Sequence, residues 1–187
     1  MPVPNTTSLG NSCEVLIIGG GPAGSTAAAL LAERGRRVVV IEKDRHPRFH
    51  IGESLLPLNL ALFDQLGVHE QIEAIGIVKH GAEFISTDYH RTITFNFADA
   101  WNKTWTSAYQ VRRSEFDHIL SKNASARGAE VHEESRVTEI QFNDDSADVM
   151  VTTADGTALK WRAGYVLDAS GRDTFLASRM KIKRHNA

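Results

Sequence analysis

The first quarter of the chain alternates apolar runs with a glycine-rich turn and a helical pattern. Residues 13–18 are almost continuously apolar, as expected of a strand that is buried on both faces of a parallel sheet. Pro22 suits the start of a helix, residues 23–34 are rich in alanine and leucine, and Gly35 suits the helix end. Residues 37–41 are β-branched and apolar, which predicts a second buried strand. Together these segments predict a βαβ unit.

The pattern changes in the middle of the chain. Residues 55–66 have apolar positions at helical spacing, which predicts a helix. Between residues 81 and 97 apolar and polar positions alternate, which indicates antiparallel strands, and residues 107–111 predict another strand. Residues 113–127 predict a third helix, because Phe116, Ile119 and Leu120 share one face and a glycine follows.

Short strand patterns follow one another closely in the last third of the chain. Asp155 and Gly156 form a hairpin turn signal between two of them. The predicted strands are residues 130–132, 137–142, 149–153, 159–161 and 165–167, the last of them buried. The whole pattern predicts an α/β fold, in which a parallel sheet is interrupted by an antiparallel meander near residues 136–162.

Composition and charge argue against several classes of partner. The net charge of −2 provides no basic field for nucleic acid or for anionic lipid. No apolar run approaches the roughly 20 residues that span a bilayer, and a single cysteine, Cys13, allows no intramolecular disulfide. Residues 1–12 are polar and do not form a signal peptide, so we predict a disordered tail, a domain over residues 13–187 and a cytoplasmic protein. Four histidines lack metal-ligand spacing, so we predict no metal site: His46, His50, His80 and His90.

The turn after the first predicted strand carries the G-x-G-x-x-G spacing at Gly19, Gly21 and Gly24. In this motif the glycines permit a tight turn, allow the backbone to approach a pyrophosphate and let the helix pack closely on the sheet. The second predicted strand ends at Glu42, about where a carboxylate that binds ribose hydroxyls is expected. We therefore predict a dinucleotide site, and the alternative is a tight turn followed by an ordinary surface glutamate. The motif by itself does not separate NAD from FAD.

Four separated blocks make the assignment more specific. They are the glycine loop with Glu42, the segment PRFHIGES at residues 47–54, the segment VRRSEFD at residues 111–117, and the segment VLDASG at residues 166–171 with Ser178 and Arg179 after it. Together they resemble the flavoprotein monooxygenase group of the glutathione-reductase-type FAD fold. Within that group they resemble the flavin-dependent tryptophan-halogenase-like and the geranylgeranyl-reductase-like oxidoreductases. The resemblance implies a Rossmann-like FAD-binding domain with FAD as its cofactor.

The resemblance also implies roles for individual residues. The G-E-S segment lies along the flavin in this family, an arginine at the position of Arg113 approaches the cofactor, Val137 meets the adenine through its backbone, and the D-x-x-G strand end closes over the ribose and pyrophosphate. Without the family, these segments would be interpreted as an ordinary loop, an exposed helix start and a strand exit. The expected cofactor-binding residues are Gly19, Gly21, Pro22, Ala23, Gly24, Glu42, Lys43, Arg48, Gly52, Glu53, Ser54, Arg113, Val137, Asp168 and Gly171.

Lys79 is the expected catalytic residue. Its segment, VKHGAEF at residues 78–84, resembles the region of the halogenases that carries the catalytic lysine. In those enzymes reduced flavin reacts with oxygen, halide forms a hypohalous acid, and the lysine directs it to the substrate. An amine whose pKa shifts readily on burial suits this role. Without the family, a solvated lysine before a strand is the expected interpretation.

The chain departs from the family at its end. Family members are much longer, and the second flavin-contacting G-D motif and the halogenase W-x-W-x-I-P motif do not occur in these 187 residues. We therefore expect a C-terminally incomplete domain, with the start of a substrate-domain insertion near residues 80–110. Such a chain would hold the ADP part of FAD without a complete active site.

Several functions remain open at this point. The leading hypothesis is the FAD-binding portion of a flavin-dependent monooxygenase or halogenase that acts on a small organic substrate, with a flavin reductase or reduced nicotinamide as the electron source. The alternatives are a flavin-dependent reductase of the geranylgeranyl-reductase type and a non-catalytic dinucleotide-binding fragment. A nicotinamide-dependent dehydrogenase would continue the alternation of parallel strands and helices after residue 42, and the antiparallel patterns argue against it.

Overall fold

The computed structural model describes residues 11–182. The strands within this range are β1 (Asn11–Ile18), β2 (Val38–Ile41), β3 (Ile77–Lys79), β4 (Gly81–Ser86), β5 (Arg91–Asn96), β6 (Ala108–Gln110), β7 (Glu130–His132), β8 (Ser135–Phe142), β9 (Ala147–Thr153) and β10 (Ala158–Asp168). The helices are α1 (Pro22–Glu33), α2 (Leu58–Leu66), α3 (His69–Ile75), α4 (Arg113–Ala126) and α5 (Phe175–Arg179). Single 3₁₀ turns occur at Phe97–Asp99 and Gly171–Asp173.

The described residues divide into two compact units. The first contains the residues up to His46 and those from Leu120 onward, and the second contains Pro47–Ile119. Residues 80–110, where the start of a substrate-domain insertion is expected, lie within the second unit, and the insertion itself stays a prediction. Of the expected tail at residues 1–12, Asn11 and Ser12 belong to β1, and the rest lies outside the described residues.

The first unit is built on a six-stranded sheet in the order β7-β2-β1-β10-β9-β8. The first four strands in this order are parallel, and β10, β9 and β8 form an antiparallel meander. This confirms the predicted α/β fold and its meander. The core cluster on this sheet contains Cys13, Leu16, Ile18, Val39, Ile41, Val137, Ala147, Val149, Val151, Trp161 and Ala163.

Strand β10 differs from the expectation. Two separate strands were predicted at residues 159–161 and 165–167, but one strand continues through Gly164, where an added Cβ would lie 3.1 Å from the carbonyl oxygen of Glu14. Residues 158–160 pair with β9 and residues 161–163 with both β9 and β1, whereas residues 165–168 pair only with β1 among the described strands. Tyr165 and Leu167 are 75% and 41% exposed, so the expected burial of this segment is wrong.

The second unit contains two small antiparallel sheets, β3-β6 and β4-β5. The antiparallel pairing predicted between residues 81 and 97 is confirmed by β4 and β5. Helix α2 begins at Leu58, three residues later than predicted, and ends before Gly67, whose φ of +65° suits the left-handed helix end. Phe63 and Phe116 pack edge to face with ring centroids 5.7 Å apart, which fixes α2 against the start of α4.

Candidate cofactor site

The candidate site in the first unit lies where the parallel strands end. The carboxyl ends of β7, β2, β1 and β10 lie at one edge of the sheet, and ligands of open α/β sheets bind outside this edge. Backbone hydrogen bonds continue the pairing beyond the strands: Gly19 N–H donates to the Ile41 carbonyl at 2.8 Å, and Ala169 N–H donates to the Ile18 carbonyl at 2.9 Å. The glycine turn is therefore held against both neighbouring strands.

Two of the three motif glycines are required by close backbone approach. Gly19 has a φ of +102°, and an added Cβ would lie 2.6 Å from the carbonyl oxygen of Ala169. A Cβ at Gly24 would lie 1.9 Å from the carbonyl oxygen of Gly19, so helix α1 can start this close to the turn only with glycine there. The motif thus has a steric basis in this chain.

The N-terminus of α1 can receive an anion. Gly21 is the N-cap residue and has no side chain with which to cap the helix, Pro22 is the first helical residue, and the first turn has no acidic side chain. Ala23 follows it and is exposed. The N–H groups of a first helical turn have no partner within the helix and carry a partial positive charge, so this end of α1 fits a phosphate group.

Glu42 is buried, with 2% exposure, and joins the glycine turn to the end of β2. Its Oε2 accepts a hydrogen bond from Gly20 N–H at 2.6 Å, and its Oε1 accepts one from Asp44 N–H at 2.9 Å. The carboxylate therefore fixes the backbone of the turn, a function that the sequence motif did not reveal.

The other candidates of the first unit lie on β8, just after β2, and at or just after the end of β10. The Lys43 ammonium forms an ion pair with Asp173 and lowers the pKa of that carboxyl group. Asp168 accepts hydrogen bonds from Ser170 N–H at 3.0 Å and from Leu176 N–H at 2.7 Å, so it stabilises the turn into α5. Gly171 has a φ of +65° in this turn, and Val137 is a buried core residue of β8.

In the second unit, Arg113 holds the G-E-S segment. Its Nε and Nη2 donate to the two oxygens of Asp117 at 2.7 and 3.0 Å, and its Nη1 donates to the carbonyl oxygen of Ile51 at 2.9 Å. The Asp117 side chain is fully buried, and Arg48 Nη1 lies 3.9 Å from its Oδ2. Gly52 has a φ of +99°, and a Cβ there would lie 3.3 Å from Arg113 Nη1. The arginine expected to approach the cofactor thus binds the backbone of the neighbouring loop.

The G-E-S segment is also attached to β6. Val111 N–H donates to the Glu53 carbonyl at 2.9 Å, Leu55 N–H donates to the Tyr109 carbonyl at 3.0 Å, and Ser54 forms an isolated β-bridge with Gln110. Backbone contacts therefore fix the segment on both sides of Ser54.

Lys79 is the last residue of β3, where it pairs with Ala108 of β6. Its ammonium donates a hydrogen bond to the Ser54 hydroxyl and lies 5.3 Å from the ring centroid of Phe97. Burial lowers the pKa of the ammonium group. The structure therefore brings together two residues that the sequence placed in separate motifs.

The candidate residues thus form two groups, each within one unit. The first unit contains Gly19, Gly21, Pro22, Ala23, Gly24, Glu42, Lys43, Val137, Asp168 and Gly171, and the second contains Arg48, Gly52, Glu53, Ser54, Lys79 and Arg113.

Sequence reasoning missed two partners, Asp117 and Asp173. The spacing of four residues between Arg113 and Asp117 on a helix was the available signal for the first, whereas Lys43 and Asp173 are too distant in sequence for any local pattern. The part of the chain that the structure describes has no helix with the length and apolar character of a membrane span.

Comparison with known proteins agrees with this geometry. Residues 12–187 match the family described as "FAD binding domain". A flavin-dependent halogenase of Armillaria mellea is 38% identical over 173 residues, and the tryptophan 2-halogenase of Chondromyces crocatus is 36% identical over 183 residues. These matches cover 90% and 94% of this chain but only 34% of each relative, so the chain spans about a third of their length. Among solved structures, a flavoprotein/dehydrogenase from Cytophaga hutchinsonii is 34% identical, with a TM-score of 0.82 over 90% of this chain and 41% of that protein.

Proposed function

Because this chain belongs to the FAD binding domain family, we propose that it forms the FAD-binding portion of a flavin-dependent oxidoreductase of the halogenase or monooxygenase type. The expected substrate is a small organic molecule, as tryptophan is for the relative from Chondromyces crocatus. Three properties of the whole protein stay predictions: a flavin reductase or reduced nicotinamide as the electron source, a cytoplasmic location, and a domain that extends over residues 13–187.

The observation that carries FAD binding is the glycine turn at the open N-terminus of α1. The turn is held by Glu42, and the helix end has no side-chain cap and no acidic residue in its first turn. These features fit the diphosphate of FAD, which Gly21, Pro22 and Ala23 would contact at the helix end. When bound, FAD would supply the redox chemistry of the reaction. The chain itself supplies a fixed anion site next to a buried carboxylate.

The halogenase type is supported by Lys79. A lysine ammonium held by a hydroxyl and placed near an aromatic ring can donate a hydrogen bond in a fixed direction. The fall in its pKa on burial brings the neutral amine closer to physiological pH, which favours proton transfer. We propose Lys79 as the catalytic residue, and Gly52, Glu53 and Ser54 as part of the same flavin-linked segment.

The substitution Ala23→Glu tests the anion site without removing any contact. A carboxylate in the first helical turn stabilises the helix by about 0.3–1 kcal/mol, so the protein should fold at least as well as the wild type. It should also repel a bound diphosphate, since two like charges about 4 Å apart near a protein surface repel by roughly 4 kcal/mol. A repulsion of only a third of that energy would weaken FAD binding about tenfold.

The measurement is a titration of the chain with FAD, followed by flavin absorbance and fluorescence. Ala23→Gln is the matched control, because it has the same shape and no charge, and it should bind FAD much more tightly than Ala23→Glu. Equal affinity of the two variants would show that no anion binds at this helix end. A chain that binds no FAD in the wild-type form would overturn the proposed function.

The similarity to the Cytophaga hutchinsonii flavoprotein/dehydrogenase favours one alternative, a flavin-dependent reductase. The two functions differ in their need for halide and for Lys79. In the intact protein, a halogenase should form a chloride-dependent product that is lost in Lys79→Ala. A reductase should turn over without chloride and should be indifferent to this substitution.

A further inference from the structure

We propose that Ser54 is a positioning residue that holds the Lys79 ammonium in place through its hydroxyl group. This inference rests on the proposed function for its catalytic meaning, since it assigns Ser54 to the catalytic lysine in addition to the flavin. The contact between Ser54 and Lys79 is itself an observation of the structure.

The backbone alone does not fix the lysine amine. Strand β3 has three residues, and its pairing with β6 places the Lys79 backbone opposite Ala108. The rotamer entropy of a lysine side chain contributes about 2 kcal/mol in favour of a mobile side chain. A solvated amine would therefore sample many directions. A polar partner is therefore needed if the ammonium is to point in one direction, and the Ser54 hydroxyl, which accepts its hydrogen bond, is such a partner.

A single strand sets both ends of this hydrogen bond. Ala108 of β6 pairs with Lys79, and Gln110 of the same strand forms the bridge with Ser54. The neighbouring bonds, from Val111 N–H to Glu53 and from Leu55 N–H to Tyr109, lock the register of the segment around Ser54. The separation of the Ser54 and Lys79 backbones is thus determined by three consecutive residues of β6, and the hydrogen bond fixes the amine within that frame.

The segment is also held from its other side. Arg113 donates to the carbonyl oxygens of Ile51 and Gly52, and Asp117 holds the arginine through both of its oxygens. This arrangement leaves the G-E-S backbone little freedom to move Ser54 away from Lys79. The proposed positioning role therefore belongs to the hydroxyl, and the backbone would stay in place if the hydroxyl were removed.

The aromatic ring supports the same placement. The Lys79 ammonium lies 5.3 Å from the centroid of Phe97, a buried residue whose N–H donates to the His80 carbonyl at 2.8 Å. A cation at this distance is attracted to the ring face. The ring and the hydroxyl together hold the amine in a position in which burial lowers its pKa.

The test is the pH dependence of Lys79 acylation. The chain is treated briefly with acetic anhydride over a range of pH values, and modification of Lys79 is measured by mass spectrometry, with the exposed Lys103 as the internal standard. The midpoint of each curve reports the pKa of the amine, and its plateau reports how accessible the amine is to the reagent. A change in pKa is thereby separated from a change in accessibility. Wild type, Ser54→Ala and Ser54→Thr are compared, and Ser107→Ala is the control for loss of a nearby serine hydroxyl.

The expected result is an upward shift of the midpoint in Ser54→Ala. Lys79 is only half-buried, so an amine that loses its partner turns into water, and its pKa rises toward the usual lysine value. Ser54→Thr keeps the hydroxyl and should retain the wild-type midpoint, as should Ser107→Ala. Because Ser54 is exposed, its loss should leave the circular dichroism spectrum and the unfolding midpoint unchanged.

A midpoint in Ser54→Ala that stays at or falls below the wild-type value would overturn the inference, as would an equal shift in Ser107→Ala. The result is independent of turnover. If the acylation midpoint shifts as expected but Lys79→Ala leaves product formation in the intact protein unchanged, Ser54 does position Lys79 and the proposed halogenase function is wrong.

Discussion

Glu42→Gln offers the sharpest test of how the glycine turn is held. The substitution keeps the shape of the side chain and exchanges one carboxylate oxygen for an NH₂ group. Glu42 accepts two backbone hydrogen bonds, one on each oxygen, from Gly20 and Asp44. Glutamine has only one acceptor oxygen, so one of these two N–H groups would face another donor in a buried position.

The magnitude follows from this mismatch. A buried N–H group left without an acceptor costs about 1–3 kcal/mol. For a domain of this size each kcal/mol shifts the unfolding midpoint by about 2–4 °C, so a central cost of about 2 kcal/mol lowers it by roughly 4–8 °C. Because the loss arises in the protein alone, it should appear without any FAD.

The assay is thermal and urea unfolding of the cofactor-free chain, followed by the fluorescence of its tryptophans, of which Trp161 is buried in the first unit. Glu139→Gln is the matched control, because Glu139 lies exposed on β8 and its change should move the midpoint very little. Equal unfolding midpoints for Glu42→Gln and Glu139→Gln would refute the idea that the carboxylate fixes the turn. In that case Glu42 would stabilise the protein only when a ligand is bound.

Three further predictions concern the remaining contacts. Arg113→Lys should speed hydrogen exchange of the Leu55 and Val111 amides and lower the free energy of unfolding by about 1–3 kcal/mol, because lysine cannot replace the paired bonds to Asp117. The control is Arg112→Lys, which alters an exposed ion pair and should change neither the exchange rates nor the free energy of unfolding. Burial raises the pKa of the Cys13 thiol to about 11, so unfolding releases a proton between about pH 9 and pH 11. As the pH rises through this window, the free energy of unfolding of the wild type should fall by roughly 2 kcal/mol more than that of Cys13→Ala. Gly19→Ala should destabilise the chain by about 1–3 kcal/mol more than Gly128→Ala in urea unfolding, since both glycines have φ near +100° but only Gly19 has a described atom within 4 Å of the added Cβ.

The sequence predicted most of the fold because its signals were local. Residues 13–41 carry a complete βαβ pattern, and α4 begins at Arg113 as its apolar spacing indicates. Helix α3 was missed because its seven residues, His69–Ile75, follow α2 after only two residues and have a single buried side chain, Ile72. A pattern so short has no distinct periodicity.

The candidate residues of the site came from sequence motifs, and their roles stay predictions; their contacts could not be read from the sequence. The glycine motif and the G-E-S segment identified the candidates, yet the hydrogen bond between Ser54 and Lys79 depends on the pairing of both with β6. Such pairings join residues far apart in sequence, and no local pattern records them. The same reason explains why the continuity of β10 between residues 159–161 and 165–167 was missed, because the close approach of Gly164 to Glu14 joins residues far apart in sequence.

The second half of β10 has a consequence for work with this chain in solution. Over residues 165–168 one side of the strand pairs with β1, and the other side pairs with no strand of the described range. An open strand edge with exposed apolar side chains such as Tyr165 and Leu167 is a template on which another polypeptide can add as a strand. Refolding yield should therefore fall as protein concentration rises. A lysine in place of Leu167 should restore the yield, because a charge at a strand edge opposes aggregation.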